Sequence, residues 1–344
     1  MIIDRIVIIG LGSIGKRHLA LARFFFPKSS IKVLTRHPEN DVDSLADDYL
    51  TSLEDTKKFN PQLAVIANPA PFHIEAGIVM ASVGAHTLIE KPLSNDISGI
   101  GELISVYQNS SAQVLIGYNI RFNESFRRFR DLYQSGVIGR LLSIRAEVGQ
   151  YLPNWRKDTD YKQTVSAQKS FGGGVLLELS HEIDYLSWLF GRPLWVNADV
   201  RTVSNLEIDV EDQVMMILGF KPSPEGGEIS ASVNLDFIRQ DTARTCTLIG
   251  DQGSIKWDGV AGIVYIYGVE QQQWIEHFSD ENSGANSYQN EWEHFTDCVK
   301  GIVHPLISGQ DGQNVLSVIA AAKKSASTMQ RQRIDYLDYG EPYE

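Results

Sequence analysis

The most constraining feature of this chain is a glycine-rich turn near its start. Gly10-Leu11-Gly12-Ser13-Ile14-Gly15 follows the apolar run Ile6-Val7-Ile8-Ile9 and opens a helical pattern over 13–26 that stops at Pro27. Between a strand and a helix, the spacing G-x-G-x-x-G has a mechanism. The first glycine permits a tight turn, the second lets backbone approach a pyrophosphate, and the third lets the helix lie close to the sheet. The helix N-terminus adds N–H donors and a positive dipole end. Gly10, Gly12, Ser13, Ile14 and Gly15 are therefore read as dinucleotide-binding. The alternative is a domain of the same fold without its cofactor.

Four more short apolar runs follow, at 31–34, 63–66, 86–89 and 114–116, with helical patterns at 71–83 and 97–108. β-rich runs separated by helices specify a parallel sheet covered on both faces. After Phe122 the pattern changes to an amphipathic helix (124–135), a strand (142–148) and 24 residues without periodicity (151–174). A helix to 190 comes next, then a strand-rich stretch, 194–277. Over 228–237, Ile229, Ala231, Val233, Leu235 and Phe237 alternate with Ser230, Ser232, Asn234 and Asp236. Strict alternation means a sheet with one apolar face, usually antiparallel. Turns are expected at 221–227 and 250–253, and closing helices at 288–300 and 312–329. The expected fold is α/β: a doubly wound Rossmann domain, 1–120, and an α+β domain, 121–344, with a large, mainly antiparallel open sheet. The second domain is assigned to substrate binding and oligomerisation.

Composition removes several classes of function. With 43% apolar and 22% charged residues, the chain has an ordinary globular balance rather than that of a disordered protein. Its net charge of -12 repels phosphate backbones and anionic lipid, which argues against nucleic-acid and membrane-surface roles. No apolar run approaches the ~18 residues needed to span a bilayer. The start, MIIDRIVIIG, enters a strand without a basic leader segment. Two cysteines are too few for a disulfide framework or a cysteine zinc site, and the histidines are scattered without ligand spacing, so no metal is expected. The expected compartment is the cytoplasm.

The dinucleotide is chosen at the end of the second strand, where an acid would grip a free ribose 2′-hydroxyl. Thr35-Arg36-His37 stands there, with no acid until Glu39. Arg36 can pair with a 2′-phosphate in a fork, which favours NADP over NAD; otherwise it is a solvated surface arginine. Asn68-Pro69-Ala70-Pro71-Phe72-His73 follows the third run and Glu90-Lys91-Pro92 the fourth, both at strand ends where an open α/β sheet binds its ligand. An ammonium at Lys91 can polarise a carbonyl or hold an alkoxide. The plainer alternative is a Glu90–Lys91 surface ion pair.

Taken in order, several motifs resemble the Gfo/Idh/MocA oxidoreductase family. They are the glycine loop running into Lys16-Arg17-His18, Asn68-Pro69…His73, Glu90-Lys91-Pro92, Gly117-Tyr118-Asn119-Ile120-Arg121-Phe122, and Gly172-Gly173-Gly174 with His181-Glu182-Ile183-Asp184. The likeness covers residues 1 to about 190. It implies an NAD- or NADP-dependent sugar or polyol dehydrogenase, dimeric or tetrameric through the second domain's sheet. Asn68, Pro69, His73 and Glu90 then join the cofactor set. Lys91 falls on the lysine that contacts the reacting hydroxyl and the nicotinamide, and Pro92 would follow a cis bond. His181 falls on the helix histidine that serves as acid/base or binds substrate. Where many members carry an aspartate four residues before that histidine, this chain has Leu177. Glu178 and Asp184, each three residues from His181, would share its helix stripe and are the candidate partners.

Asn119 and Arg121 either bind substrate or fix the turn between domains. In the irregular segment, Trp155 and Tyr161 can offer sugar platforms and Arg156 can bind a carboxylate or phosphate. The alternative is a loop packed by its own aromatics or an oligomer contact. The block 149–188 is similar to branches acting on bacterial surface sugars and amino sugars, so sugar derivatives and nucleotide-linked sugars are included. The expected reaction moves hydride between nicotinamide and a hydroxyl-bearing carbon, with His181 taking the hydroxyl proton and Lys91 stabilising the alkoxide. The rival readings are a non-catalytic cofactor-binding or regulatory protein, and a cofactor-recycling lyase or glycosidase.

Overall fold

In a computed structural model, which describes residues 2–36, 43–156, 159–221, 227–270 and 272–339, the early apolar runs become a six-stranded parallel sheet. Its elements are β1 (Arg5–Ile9), α1 (Ser13–Phe25), β2 (Ser30–Leu34), β3 (Asp48–Leu50), α2 (Leu53–Phe59), β4 (Leu63–Ile66), α3 (His73–Ser82), β5 (His86–Glu90), α4 (Ile100–Gln108) and β6 (Val114–Gly117). The strand order β3-β2-β1-β4-β5-β6 reverses direction between β1 and β4, the switch point where such sheets bind ligands. Every residue of β4 and β5 is buried, which is why β4 reads as an unbroken apolar run and neither strand alternates. β3 and α2 were not anticipated. Three residues of strand with Asp48 exposed carry no apolar run, and α2 is announced only by its cap, the Ser52 hydroxyl accepting from the Asp55 N–H. His37, Glu39 and the turn residues Pro222 to Gly226 lie outside the described residues.

The second sheet has nine strands in the order β14-β13-β12-β11-β7-β10-β9-β8-β15. It is built from β7 (Leu141–Gly149), β8 (Trp195–Arg201), β9 (Gln213–Phe220), β10 (Ile229–Asp236), β11 (Ala243–Gly250), β12 (Ser254–Asp258), β13 (Ile263–Gly268), β14 (Gln273–Ser279) and β15 (Gln332–Arg333). The sheet is mainly antiparallel with one exception at its centre. β10, the alternating strand, pairs antiparallel with β9 but parallel with β7. Alternation reports which face is buried and is silent on strand direction. Ile229, Ala231, Val233 and Leu235 are indeed the buried set.

That buried face is covered by α5 (Glu124–Gln134), α6 (Val175–Glu178) and α7 (His181–Phe190). Phe126 of α5 anchors the contact, with its ring centroid 4.8 Å from Tyr185 and 4.9 Å from Trp257. The opposite face leaves Met215, Ile217 and Trp274 exposed. Two helices close the chain, α8 (Ser283–Val299) and α9 (Gly309–Thr328). By internal contacts the described residues form two compact units: 2–118 with 291–316 and 337–339, and 119–290 with 317–336. Among the described residues no helix is long and apolar enough to cross a membrane.

Candidate active site

In the first unit the glycine turn has the shape a dinucleotide requires. Gly10 adopts φ +94, and a Cβ on it would stand 2.6 Å from the Asn68 nitrogen. A Cβ on Gly15 would stand 2.1 Å from the Gly10 carbonyl oxygen. These two glycines let the start of α1 press against the ends of β1 and β4. Gly12 is different: a Cβ there would meet nothing within 4 Å. It caps α1 without a side-chain bond, and the first turn holds no acid, so the amides of Ser13, Ile14 and Gly15 have no side-chain competitor. Open space over a glycine, bordered by uncapped helix amides, fits a pyrophosphate.

At the neighbouring strand ends, the buried side-chain oxygen Oδ1 of Asn68 has no hydrogen-bond partner among the described residues. Pro69 leads into a 3-10 turn, Ala70–Phe72, and the Arg36 guanidinium lies 4.9 Å over the Phe72 ring. Arg36 and the 68–73 segment are thus brought together, with Arg36 itself exposed.

His73 differs from the expected cofactor contact. Its ring is 2% exposed, with Nε2 2.6 Å from the Asn68 carbonyl and Nδ1 3.0 Å from the Pro92 carbonyl. Burial pushes its pKa below the ordinary histidine value, and with a backbone carbonyl facing each ring nitrogen it packs between two site loops.

The Glu90-Lys91-Pro92 segment ends β5, and the Lys91–Pro92 bond is cis. Glu90 does not form a surface ion pair. It is 7% exposed, accepts from His18 Nε2 at 2.7 Å, and turns its other oxygen to the Lys91 backbone N–H at 3.1 Å. Gly117 makes the room, since a Cβ there would lie 3.3 Å from Glu90 Oε2. His18 in turn accepts from the Trp292 indole N–H at 2.8 Å. Beside Trp292, the wholly buried Glu291 has no partner for either oxygen among the described residues. Burial and the nearby Glu90 charge hold its carboxyl well above the usual range. Sequence reading noted His18 only as part of a resemblance and passed over Trp292 and Glu291.

In the second unit, His181 is the first residue of α7 and is 7% exposed. The expected helical stripe through Glu178, His181 and Asp184 is broken, because α6 ends at Glu178 and Leu179-Ser180 interrupt the helix. Glu178 accepts from the Ser166 hydroxyl at 3.0 Å. Asp184, wholly buried, takes a two-pronged contact from Arg121, Nε to Oδ2 at 3.0 Å and Nη2 to Oδ1 at 2.7 Å. Arg121 therefore fastens the 3-10 turn Asn119–Phe122 to α7 rather than standing open to a ligand. Asn119 is likewise committed, donating to the Ser287 hydroxyl at 2.7 Å.

Among its described residues, the irregular 151–174 segment holds 3-10 turns at Leu152–Asn154, Tyr161–Gln163, Val165–Ala167 and Lys169–Phe171. Trp155 stands edge-on to Phe237 and donates its N–H to the Gln150 carbonyl, so it is a packed aromatic. With Leu152, Arg156, Tyr161, Thr164 and Ser166 it lines a small recess, and Arg156 is exposed.

Comparison with known proteins follows the same division. Residues 5–118 match the family model described as an oxidoreductase family with an NAD-binding Rossmann fold, and residues 126–256 match the GFO/IDH/MocA C-terminal domain. Myo-inositol 2-dehydrogenase of Thermotoga maritima is 24% identical over 336 residues, spanning 93% of this chain and 96% of its own length. Levoglucosan dehydrogenase of Pseudarthrobacter phenanthrenivorans is 28% identical over 57% of this chain and 53% of its own. Among solved structures, a levoglucosan dehydrogenase complex with NADH superposes with TM-score 0.81 at 20% identity, covering 97% of this chain and all of that one. The WlbA dehydrogenase from Bordetella pertussis, in complex with NADH and UDP-GlcNAcA, gives 0.79 at 21% identity, covering 98% of this chain and 100% of that one.

The contrast between two glycines checks the cradle. Gly12→Ala should leave thermal unfolding unchanged yet weaken dinucleotide binding at least ~10-fold by calorimetric titration, about 1.4 kcal/mol. Gly15→Ala should instead destabilise the fold by about 1–3 kcal/mol, because its Cβ drives into backbone.

Proposed function

The chain belongs to the Gfo/Idh/MocA oxidoreductases, a family with an NAD-binding Rossmann domain, and from that premise we propose a cytoplasmic enzyme that moves hydride between nicotinamide and a hydroxyl-bearing carbon of a sugar or sugar derivative. The observation that carries the proposal is the pairing, on one edge of one sheet, of the open Gly12 cradle after β1 with the Glu90-Lys91-Pro92 segment after β5. A relative named for myo-inositol, one named for levoglucosan and a structural neighbour holding UDP-GlcNAcA support the substrate class.

Gly10, Gly12 and Gly15 and the first amides of α1 would hold the pyrophosphate, with Asn68 Oδ1 available to a ligand donor. When bound, the dinucleotide accepts or supplies the hydride. The protein's part is electrostatic and protonic. Lys91 is the fixed cation that stabilises the alkoxide as the carbon–hydrogen bond breaks, and His181 is the acid/base that takes the hydroxyl proton. Each role is worth ~10²–10⁴ in rate. Glu178 is the remaining candidate to orient His181, while Asp184 serves through its bond to Arg121. Arg156 and Tyr161 are assigned to the substrate side.

For the cofactor we favour NADP. Arg36 is a cation just past the end of β2, braced on Phe72, and no acid precedes Glu39 in the sequence. The apolar residues exposed on the open face of the second sheet are assigned to a homodimer or homotetramer contact.

Three measurements test these assignments. Lys91→Met should cut turnover on a sugar panel at least ~10²-fold, about 2.7 kcal/mol of barrier, with dinucleotide affinity nearly unchanged; His181→Ala should also slow turnover. Wild type should bind NADPH more tightly than NADH, and Arg36→Asp should narrow or invert the preference; a ~10-fold wild-type preference for NADH would overturn the Arg36 assignment. Light scattering at micromolar concentration should give a dimer or tetramer, and a monomer would sink the sheet-face contact.

A further inference from the structure

The first unit contains a hydrogen-bonded chain that reaches Lys91 from the far end of the sequence. An indole N–H can only donate. With Trp292 Nε1 at 2.8 Å from His18 Nδ1, that nitrogen must accept, and the ring proton must sit on Nε2. Nε2 points at Glu90 Oε1 2.7 Å away, so the direction of every bond is fixed: Trp292 donates to His18, and His18 donates to Glu90. Glu90 closes the chain by accepting the backbone N–H of Lys91 on its second oxygen at 3.1 Å.

The surroundings leave this chain little freedom. His18 and Trp292 are fully buried, and Phe25 stacks on the indole at 5.9 Å. Gly117 keeps the space beside the Glu90 carboxylate free of a side chain. The next residues are held independently, the Pro92 carbonyl by His73 and Leu93 against Gly312. Two buried carboxyls stand near each other here. Glu90 receives two donors and Glu291 receives none among the described residues, and burial beside Glu90 holds the Glu291 carboxyl well above the usual range.

We propose that His18, its proton placed on Nε2 by Trp292, is a positioning residue for the reaction: it holds the Glu90 carboxylate, which sets the backbone from which Lys91 projects. This rests on the reading of Lys91 as the catalytic cation. A misplacement of a reacting group by ~1 Å can cost ~10² in rate, so a bond one residue from Lys91 has kinetic reach without touching substrate.

The test separates the reach of the side chain from its bulk. A glutamine at 18 carries an N–H near the place of Nε2, whereas an asparagine stops short at the place of Nδ1. His18→Gln should keep kcat within about threefold of wild type, and His18→Asn should lower it at least ~10-fold while the dinucleotide Kd stays within about threefold. A merely structural histidine would not divide the two amides in kcat alone. Independently of turnover, nitrogen-15 shifts of the His18 ring should show the Nε2–H tautomer in wild type. An Nδ1–H tautomer in wild type overturns the proposal. So does wild-type kcat in His18→Asn alongside an inactive Lys91→Met, a result that leaves the catalytic reading standing. Wild-type turnover in Lys91→Met removes both.

Discussion

Backbone touching backbone is the constraint on which the first unit turns. The start of α1 lies so close to the ends of β1 and β4 that Gly10 and Gly15 have no room for a methyl group. That approach brings the helix amides to the switch point of the sheet, at the spot where Gly12 leaves space open. It also carries His18, one turn further along α1, into the interior beside the end of β5. A wider crossing would lose the anion cradle and the Glu90 contact together. The two features belong to one packing decision, made by three glycines.

Much of this was legible because it is local. Most strands of the parallel sheet contain short apolar runs, and the motif lies between its own strand and helix, so sequence neighbours are spatial neighbours. The same reasoning failed where a local pattern had more than one solution. The spacing of Glu178, His181 and Asp184 fits a helix stripe, but Leu179 and Ser180 end one helix and begin another. Arg121 and Asp184 each suited an active site, yet burial made them partners; a charge with no access to water needs its opposite more than it needs a substrate. The plainer alternative for Glu90, a surface ion pair with Lys91, fails because its side chain is buried against His18 of α1.

The least legible contact spans most of the sequence. Trp292 and His18 are 274 positions apart, and nothing in the pattern around Trp292 distinguishes it from any amphipathic-helix aromatic. In the second sheet, the alternation of β10 revealed its buried face but not that its neighbour β7 runs parallel to it. Periodicity encodes burial; pairing direction is decided by the connections, which here are long and irregular.

The segment 291–316 also orders events during synthesis. The ribosome delivers 2–118 early, but the Rossmann unit takes in 291–316, which supplies Trp292 against Phe25 and the Ile307 carbonyl that receives the Ile116 N–H. At the usual pace of elongation the missing piece emerges roughly ten to thirty seconds later. For that interval the nascent sheet has its strands and its glycine turn but leaves Phe25 and His18 without the indole that covers them. All of the second sheet's strands but β15 are translated within the same window. The unit that holds 2–118 is therefore started well before it can be finished, and its waiting apolar surface is where a chaperone would be of most use.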